Sequence, residues 1–244
     1  MKKFLLVLII TGILNAGWII KFKEEAEGEK PETTTCYISK GVMVFESKED
    51  VVLLDYKNEI IRMIDHEEKS YIETTVDEFI NMYSGMKKIM EEMMEEMPPQ
   101  QREMMEKMMK PKININKTSK TEKILGYNTF VYEIIMETYT PMGSIKTKSE
   151  EYISPDLDFL SSEISKEDAE KISKKFEKMM TEFSFFNMIG RIEKGWVLKW
   201  IYYGEGNKIT NKGEAISINK GEIPSSLLKI PKGYKKKEIL EEEE

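Results

Sequence analysis

Several runs of this chain alternate apolar and polar residues with a period of two, and two stretches, Val76 to about Lys110 and one that opens at Ser165, switch to a helical period. Thr34 to Ile38, Val42 to Glu46 and Val51 to Tyr56 are short runs rich in β-branched and aromatic residues, broken by Gly41 and by Ser47 to Asp50. Antiparallel strands are expected there. Ile60 to Ile64 and Tyr71 to Thr74 flank a polar turn at 65–69, the pattern of a hairpin. His66, the only histidine, sits in that turn and is read as a solvated turn residue.

Thr75-Val76-Asp77-Glu78 has the spacing of a capping box, so a helix is expected to begin after Thr75. Val76, Phe79, Ile80, Tyr83, Met86, Met90, Met93, Met94 and Met97 then recur at steps of three and four, opposite Glu91, Glu92, Glu95 and Glu96. Pro98 stops this helix and Pro99 can open a second, which carries Met104, Met105, Met108 and Met109 until Pro111. The expectation is a Met-rich helical hairpin inserted at about 76–110, its methionines facing inward.

Strand patterning resumes with Ile113 and Ile115. Phe130, Tyr132, Ile134 and Met136 share one face of a long run after Gly126, and a partner run from Ser144 to Ile153 follows a turn at 141–143. Ser165 to Asp168 cap an expected third helix with Ala169, Ile172, Phe176, Met179, Met180 and Phe183 on one face. Trp196, Leu198, Trp200 and Tyr202 alternate in a further strand, with a return strand near Ala215 to Asn219. The order β, helix pair, β, helix, β predicts an α+β fold with a large antiparallel sheet.

The N-terminal end follows the export pattern: Lys2 and Lys3, an apolar run from Phe4 to Ile20, then a charged stretch. Residues 1–20 are expected to be a signal peptide or a membrane anchor. Ala16 and Gly17 are small, but Leu14 fits an A-x-A cleavage site poorly, and the run's 17 residues reach about 26 Å against a hydrocarbon core of roughly 30 Å. Both readings stay open, as does the choice between a soluble and an anchored protein of the periplasm or cell envelope. Residues 21–32, with Gly28 and Pro31, read as a flexible charged leader, 33–238 as a single domain and 239–244 as an acidic tail.

Charge and chemistry narrow the function. A net charge of -7 offers no positive field for phosphates, so no nucleic-acid partner is expected. One cysteine, Cys36, excludes an intrachain disulfide and reads as a buried strand residue. With one His and one Cys there is no supported metal cluster or nucleophile pair, and no phosphate loop or nucleophile elbow appears. Neither enzymatic activity nor a cofactor is expected.

The helical block holds ten of the 18 methionines and allows three readings. Methionine thioethers can bind Cu(I), can form an adaptable surface for apolar ligands or partners, or can simply pack as core. The candidate ligand-binding residues are Phe130, Tyr132, Trp196, Trp200, Met86, Met90 and Met93, because apolar pockets favour aromatic and methionine linings.

Several phrases together resemble a known family. They are Ile60-Ile61-Arg62-Met63-Ile64-Asp65 followed by Lys69-Ser70-Tyr71, the insert around Pro98-Pro99-Gln100-Gln101-Arg102, Lys123-Ile124-Leu125-Gly126-Tyr127, and the ending Ile223-Pro224-Ser225-Ser226-Leu227 with Ile230-Pro231-Lys232-Gly233-Tyr234. Their order resembles the bacterial domain-of-unknown-function 4412 family over most of the chain after residue 33. That family is similar in layout to exported lipoprotein-carrier (LolA-like) domains. The resemblance implies a strongly curved antiparallel sheet, an unclosed half-barrel packed on helices, around a cavity for lipid, acyl chains or a lipidated protein. Asn128 and Thr129 stand where family members often carry a cysteine, so no role for that cysteine is transferred. The alternative function is an envelope interaction or scaffold module that docks a partner through its helical hairpin, and the apolar N-terminal run could associate with a membrane.

Overall fold

The alternating runs all join one sheet. The computed structural model describes residues 17–109, 111–140, 143–157, 163–165, 167–168, 170–171, 174–175 and 195–238. Among them the strands are β1 (Gly17–Ala26), β2 (Glu32–Ser39), β3 (Val42–Glu46), β4 (Asp50–Asp55), β5 (Ile60–Asp65) and β6 (Ser70–Thr75). After helices α1 (Val76–Glu95) and α2 (Pro99–Met109) come β7 (Lys112–Ile124), β8 (Tyr127–Thr140), β9 (Gly143–Ser154), β10 (Trp196–Tyr203), β11 (Ile209–Gly221) and β12 (Lys235–Lys236). The strand order is β12-β6-β5-β4-β3-β2-β1-β11-β10-β9-β8-β7, antiparallel except for the β12–β6 pair.

This corrects the expected α+β fold, in which a half-barrel sheet packs on helices. A single open, mixed sheet of twelve strands dominates instead, and the two helices bury few side chains. Two causes are visible in the strands. β7 and β11 run far beyond the short segments that alternation marks, through stretches rich in Lys, Asn and Thr. The segment read as leader also supplies a strand: β1 pairs with β2 on one side and β11 on the other, with Ile20 and Phe22 buried. Gly17–Ala26 thus form a strand of the sheet, where the sequence reads as the end of an export segment and the start of a leader. Residues 1–16, the 239–244 tail and the apolar positions of the expected third helix lie outside the described residues. No helix among the described residues is long and apolar enough to cross a membrane.

α1 begins as its sequence predicts. Thr75 Oγ1 accepts from the Glu78 N–H and the Glu78 carboxylate accepts from the Thr75 N–H, 3.1 and 2.9 Å, so two otherwise orphaned donors are satisfied. Its first turns bury Val76 and Ile80 against Ile61, with Leu54, Tyr56, Met63 and Phe79 packed around them. At the far end Arg102 donates to the carbonyls of Met94 (2.9 Å) and Glu95 (2.7 Å), closing the helix terminus. α1 lies against β6, α2 against β8, and the two helices touch each other; Met94 is buried but Met93 and Met104 stay exposed, so the pair does not turn all its methionines inward.

The two faces differ. On the first, Trp18, Ile20, Phe22, Cys36, Ile38 and Met43 contribute to the largest core cluster. On the second, Tyr37, Val44, Val51, Leu53 and Ile64 are covered by Ile223, Leu227 and Tyr234 of the C-terminal segment. Arg62 holds that segment by donating to the Leu228 carbonyl (3.0 Å) while paired with Glu73. His66 is not merely solvated: its Nδ1 lies 2.9 Å from the Tyr234 hydroxyl. Further along the second face, register places Lys23 opposite Glu214 and Glu214 opposite Lys199, and Lys199 bonds Glu122 at 2.9 Å. That half of the face is a ladder of paired charges.

Candidate functional site

Successive residues of a strand point to opposite faces, and direct cross-strand partners share a face. One row on the first face runs Ile20, Cys36, Phe45, Val52, Met63, Ile72 across β1 to β6. Ile20 and Cys36 are fully buried, whereas Phe45 and Val52 are 40% and 39% exposed. The adjacent row, Trp18, Ile38, Met43, Leu54, Ile61 and Thr74, contains the α1 contact residues Leu54 and Ile61. The apolar sheet surface thus continues beyond what the helix covers. Burial pushes the Cys36 thiol up to about 12, which keeps it protonated and unreactive.

The middle of α1 is left uncovered as well. Ile89 and Met93, one turn apart, are 60% and 56% exposed, Met90 is half-buried and Met94 is buried. The Met86 side chain lies outside the described residues.

The four aromatic candidates sit on β8 and β10. Phe130 is half-buried, with Lys117 Nζ 4.2 Å from its ring centre. Tyr132 is buried and stands opposite Glu151, which in turn stands opposite Trp200. Trp200 reaches across Gly213 to Phe22, ring centres 5.3 Å apart, and its Nε1 donates to Asn211 Oδ1 at 3.0 Å. Trp196 packs on the same core, but a register shift between Val197 and Lys199 separates it from the Trp200 row. Register therefore brings Tyr132 and Trp200 onto one face with Glu151 between them. It does not bring them to Met90 and Met93, and the clefts beside α1, around Glu167 and Lys175, along β4 to β6 and around Lys199 and Glu214 are lined by none of the seven. The cleft beside α1, 460 Å³, is lined by Ile72, Thr74 and Met82 together with charged groups such as Glu78 and Lys236.

Sequence reasoning missed Phe45, Val52 and Glu151. Glu150 and Glu151 look like one solvated acidic pair, but alternation sends them to opposite faces. Burial disfavours the charge of Glu150, yet Lys120, Tyr152 and Lys148 hold its carboxyl below the usual range. Burial alone acts on Glu151 and raises its pKa. A group raised in the folded state adds stability while protonated and loses it as pH rises through the folded value. Glu151→Gln, a neutral mimic of the protonated form, is therefore expected to raise the melting temperature at about pH 8 and to leave it unchanged at about pH 3. The same shift at both pH values would show that charge is not the cause.

No family model matches the chain, and neither does any curated protein. The resemblance to the 4412 family thus rests on the quoted phrases. Among solved structures, similar chains include PNGF-II at 15% identity and TM-score 0.41, covering 91% of this chain and 31% of that one. An uncharacterized conserved protein from Thermus thermophilus matches at 6% identity and TM-score 0.44, covering 97% and 98%. MucB in the Pseudomonas aeruginosa MucA/MucB complex matches at 10% identity and TM-score 0.38, covering 91% and 58%. This chain spans about a third of PNGF-II and little over half of MucB. With TM-scores below 0.5, these likenesses carry no functional argument.

Proposed function

We propose that the chain is an exported, non-enzymatic binding protein that takes up a hydrophobic ligand, a lipid or acyl chain, on the first face of its sheet beside α1. The observation that supports this reading is the pair Phe45 and Val52, 40% and 39% exposed, in a row that continues from the buried Ile20 and Cys36 on one side to Met63 and Ile72 beside α1 on the other. Exposed apolar surface continuous with a core is costly in water and gains most from an apolar occupant. The α1 methionines, flexible and polarizable, suit occupants of varied shape. The Lys2-Lys3 pair and the apolar residues that follow support export. In this reading the ligand lies on the exposed apolar surface at Phe45 and Val52.

Native mass spectrometry of protein purified from its own host tests the reading. Wild type is expected to carry lipid-sized adducts, and Phe45→Glu with Val52→Glu is expected to lose most of them while keeping a cooperative unfolding transition. A consistently empty wild-type protein would remove the proposal. The exposure of Ile89 and Met93 favours a second reading, a protein partner docked on α1. In that case Met93→Glu should abolish partner cross-linking and leave lipid adducts unchanged.

A further inference from the structure

Around Trp200, the half of the first face formed by β9, β10, β11 and β1 carries aromatic and acidic side chains, while the neighbouring Lys23, Lys199 and Lys212 point to the other face and Lys220 lies further along β11 over the Trp18 ring. Register sets Glu151 opposite Trp200, Trp200 opposite Gly213 and Gly213 opposite Glu24. Strand spacing puts Glu151 about 5 Å and Glu24 about 10 Å along the sheet from the Trp200 position. The indole narrows the second gap by lying over Gly213. Tyr202 stands on the same face two residues further along β10, close enough for the Glu151 charge to act on its hydroxyl.

Both carboxylates are half-buried, and among the described residues neither is reached by a hydrogen bond or an ion pair. The contrast with the opposite face is sharp. There Lys23, Lys199 and Lys212 are paired with Glu25, Glu122 and Glu214. Alternation commits those lysines to that face, so they cannot turn to serve Glu24 or Glu151. Lys117, on the aromatic side, lies over the Phe130 and Tyr132 rings.

We propose that Glu24, Glu151 and Trp200 form a binding site for an organic ammonium group, with the indole as platform and the two carboxylates as counter-charges. A half-buried carboxylate with no partner favours an incoming cation, and an indole face attracts an alkylated ammonium more readily than water-bound sodium can compete. The site goes beyond the hydrophobic-ligand reading: it lies apart from Phe45 and Val52, with the fully buried Ile20 and Cys36 between, and selects ligands with a cationic, alkylated end. Deeply hydrated inorganic cations lack the alkyl surface that the tryptophan and tyrosine rings would cover.

The test uses the full chain and three twelve-carbon amphiphiles below their micelle concentrations: dodecyltrimethylammonium, neutral dodecyl maltoside and anionic dodecyl sulfate. Isothermal titration is expected to show the cationic probe binding about tenfold tighter than the neutral one, with the anionic probe weakest. Glu24→Gln and Glu151→Gln should each weaken the cationic probe several-fold and leave the neutral one unchanged. Choline chloride and phosphatidylcholine vesicles then separate a free ammonium compound from a lipid headgroup, and binding of either supports the site. Equal affinity for cationic and neutral probes, unaffected by both substitutions, would overturn this site and leave the hydrophobic-ligand reading standing. Failure of every probe to bind would overturn both. Melting curves of the variants confirm that each remains folded.

Discussion

A chain that begins at Glu27, and so lacks β1, is expected to have no cooperative unfolding transition. β1 is a central strand: it hydrogen-bonds to β2 on one side and β11 on the other, and no other pairing connects the two halves of the sheet among the described residues. Its removal would leave two smaller sheets, each with a newly exposed edge, and would strip Cys36, Ile38 and Ala215 of their buried neighbours Ile20 and Phe22. A smaller change at the same place gives a magnitude. Ile20→Ala, at a fully buried position, should cost about 2–5 kcal/mol in a urea unfolding measurement. If the truncated chain kept the wild-type urea midpoint, residues 17–26 would be dispensable and the leader reading would return.

Gly213→Ala is the second large effect expected. A Cβ at this position would fall within 2.5 Å of Trp200 Cε2 and Cη2, inside the indole itself. The ring would have to swing off β11, giving up its contact with Phe22 and its hydrogen bond to Asn211. Overpacking of this kind costs about 1–3 kcal/mol. The substitution should be far milder in a Trp200→Ala background, where the obstructing ring is gone, and that non-additivity identifies the cause. Additive effects of the two changes would show that Gly213 is needed for some other reason.

Much of the N-terminal half of the sheet is legible because turn residues punctuate clean alternation. Gly41 and the Ser47 to Asp50 cluster separate strands that appear where the runs Val42 to Glu46 and Val51 to Tyr56 place them. Thr75 and Glu78 mark the start of α1 for a local reason, since a capping box needs no tertiary information. β1 is concealed by its neighbours: Trp18, Ile20 and Phe22 alternate with Ile19, Lys21 and Lys23, but the apolar run before them and the acidic residues after them read as export segment and leader. The exposure of Met93 and Met104 is not legible, because periodicity reports an apolar stripe without saying what it meets.

The site is less legible than the fold. Trp200 stands out by composition and alternation, but its platform depends on Gly213, a residue of the neighbouring strand that nothing local connects to it. Glu24 and Glu151 carry no mark at all in a chain with 44 acidic residues. Only pairing across four strands separates them from carboxylates that already have a lysine.

The central position of β1 also has a temporal consequence. The strand is among the first parts of the domain to be synthesised, yet one of its two partners is among the last, so Ile20 must wait for Ile218 before it is enclosed. Closing so distant a pair is slow, and until it happens the N-terminal half presents an unfinished edge. The topology therefore delays completion of the native state until nearly the whole polypeptide exists, an interval in which an unfolded chain can still be threaded through a membrane channel or held by a chaperone.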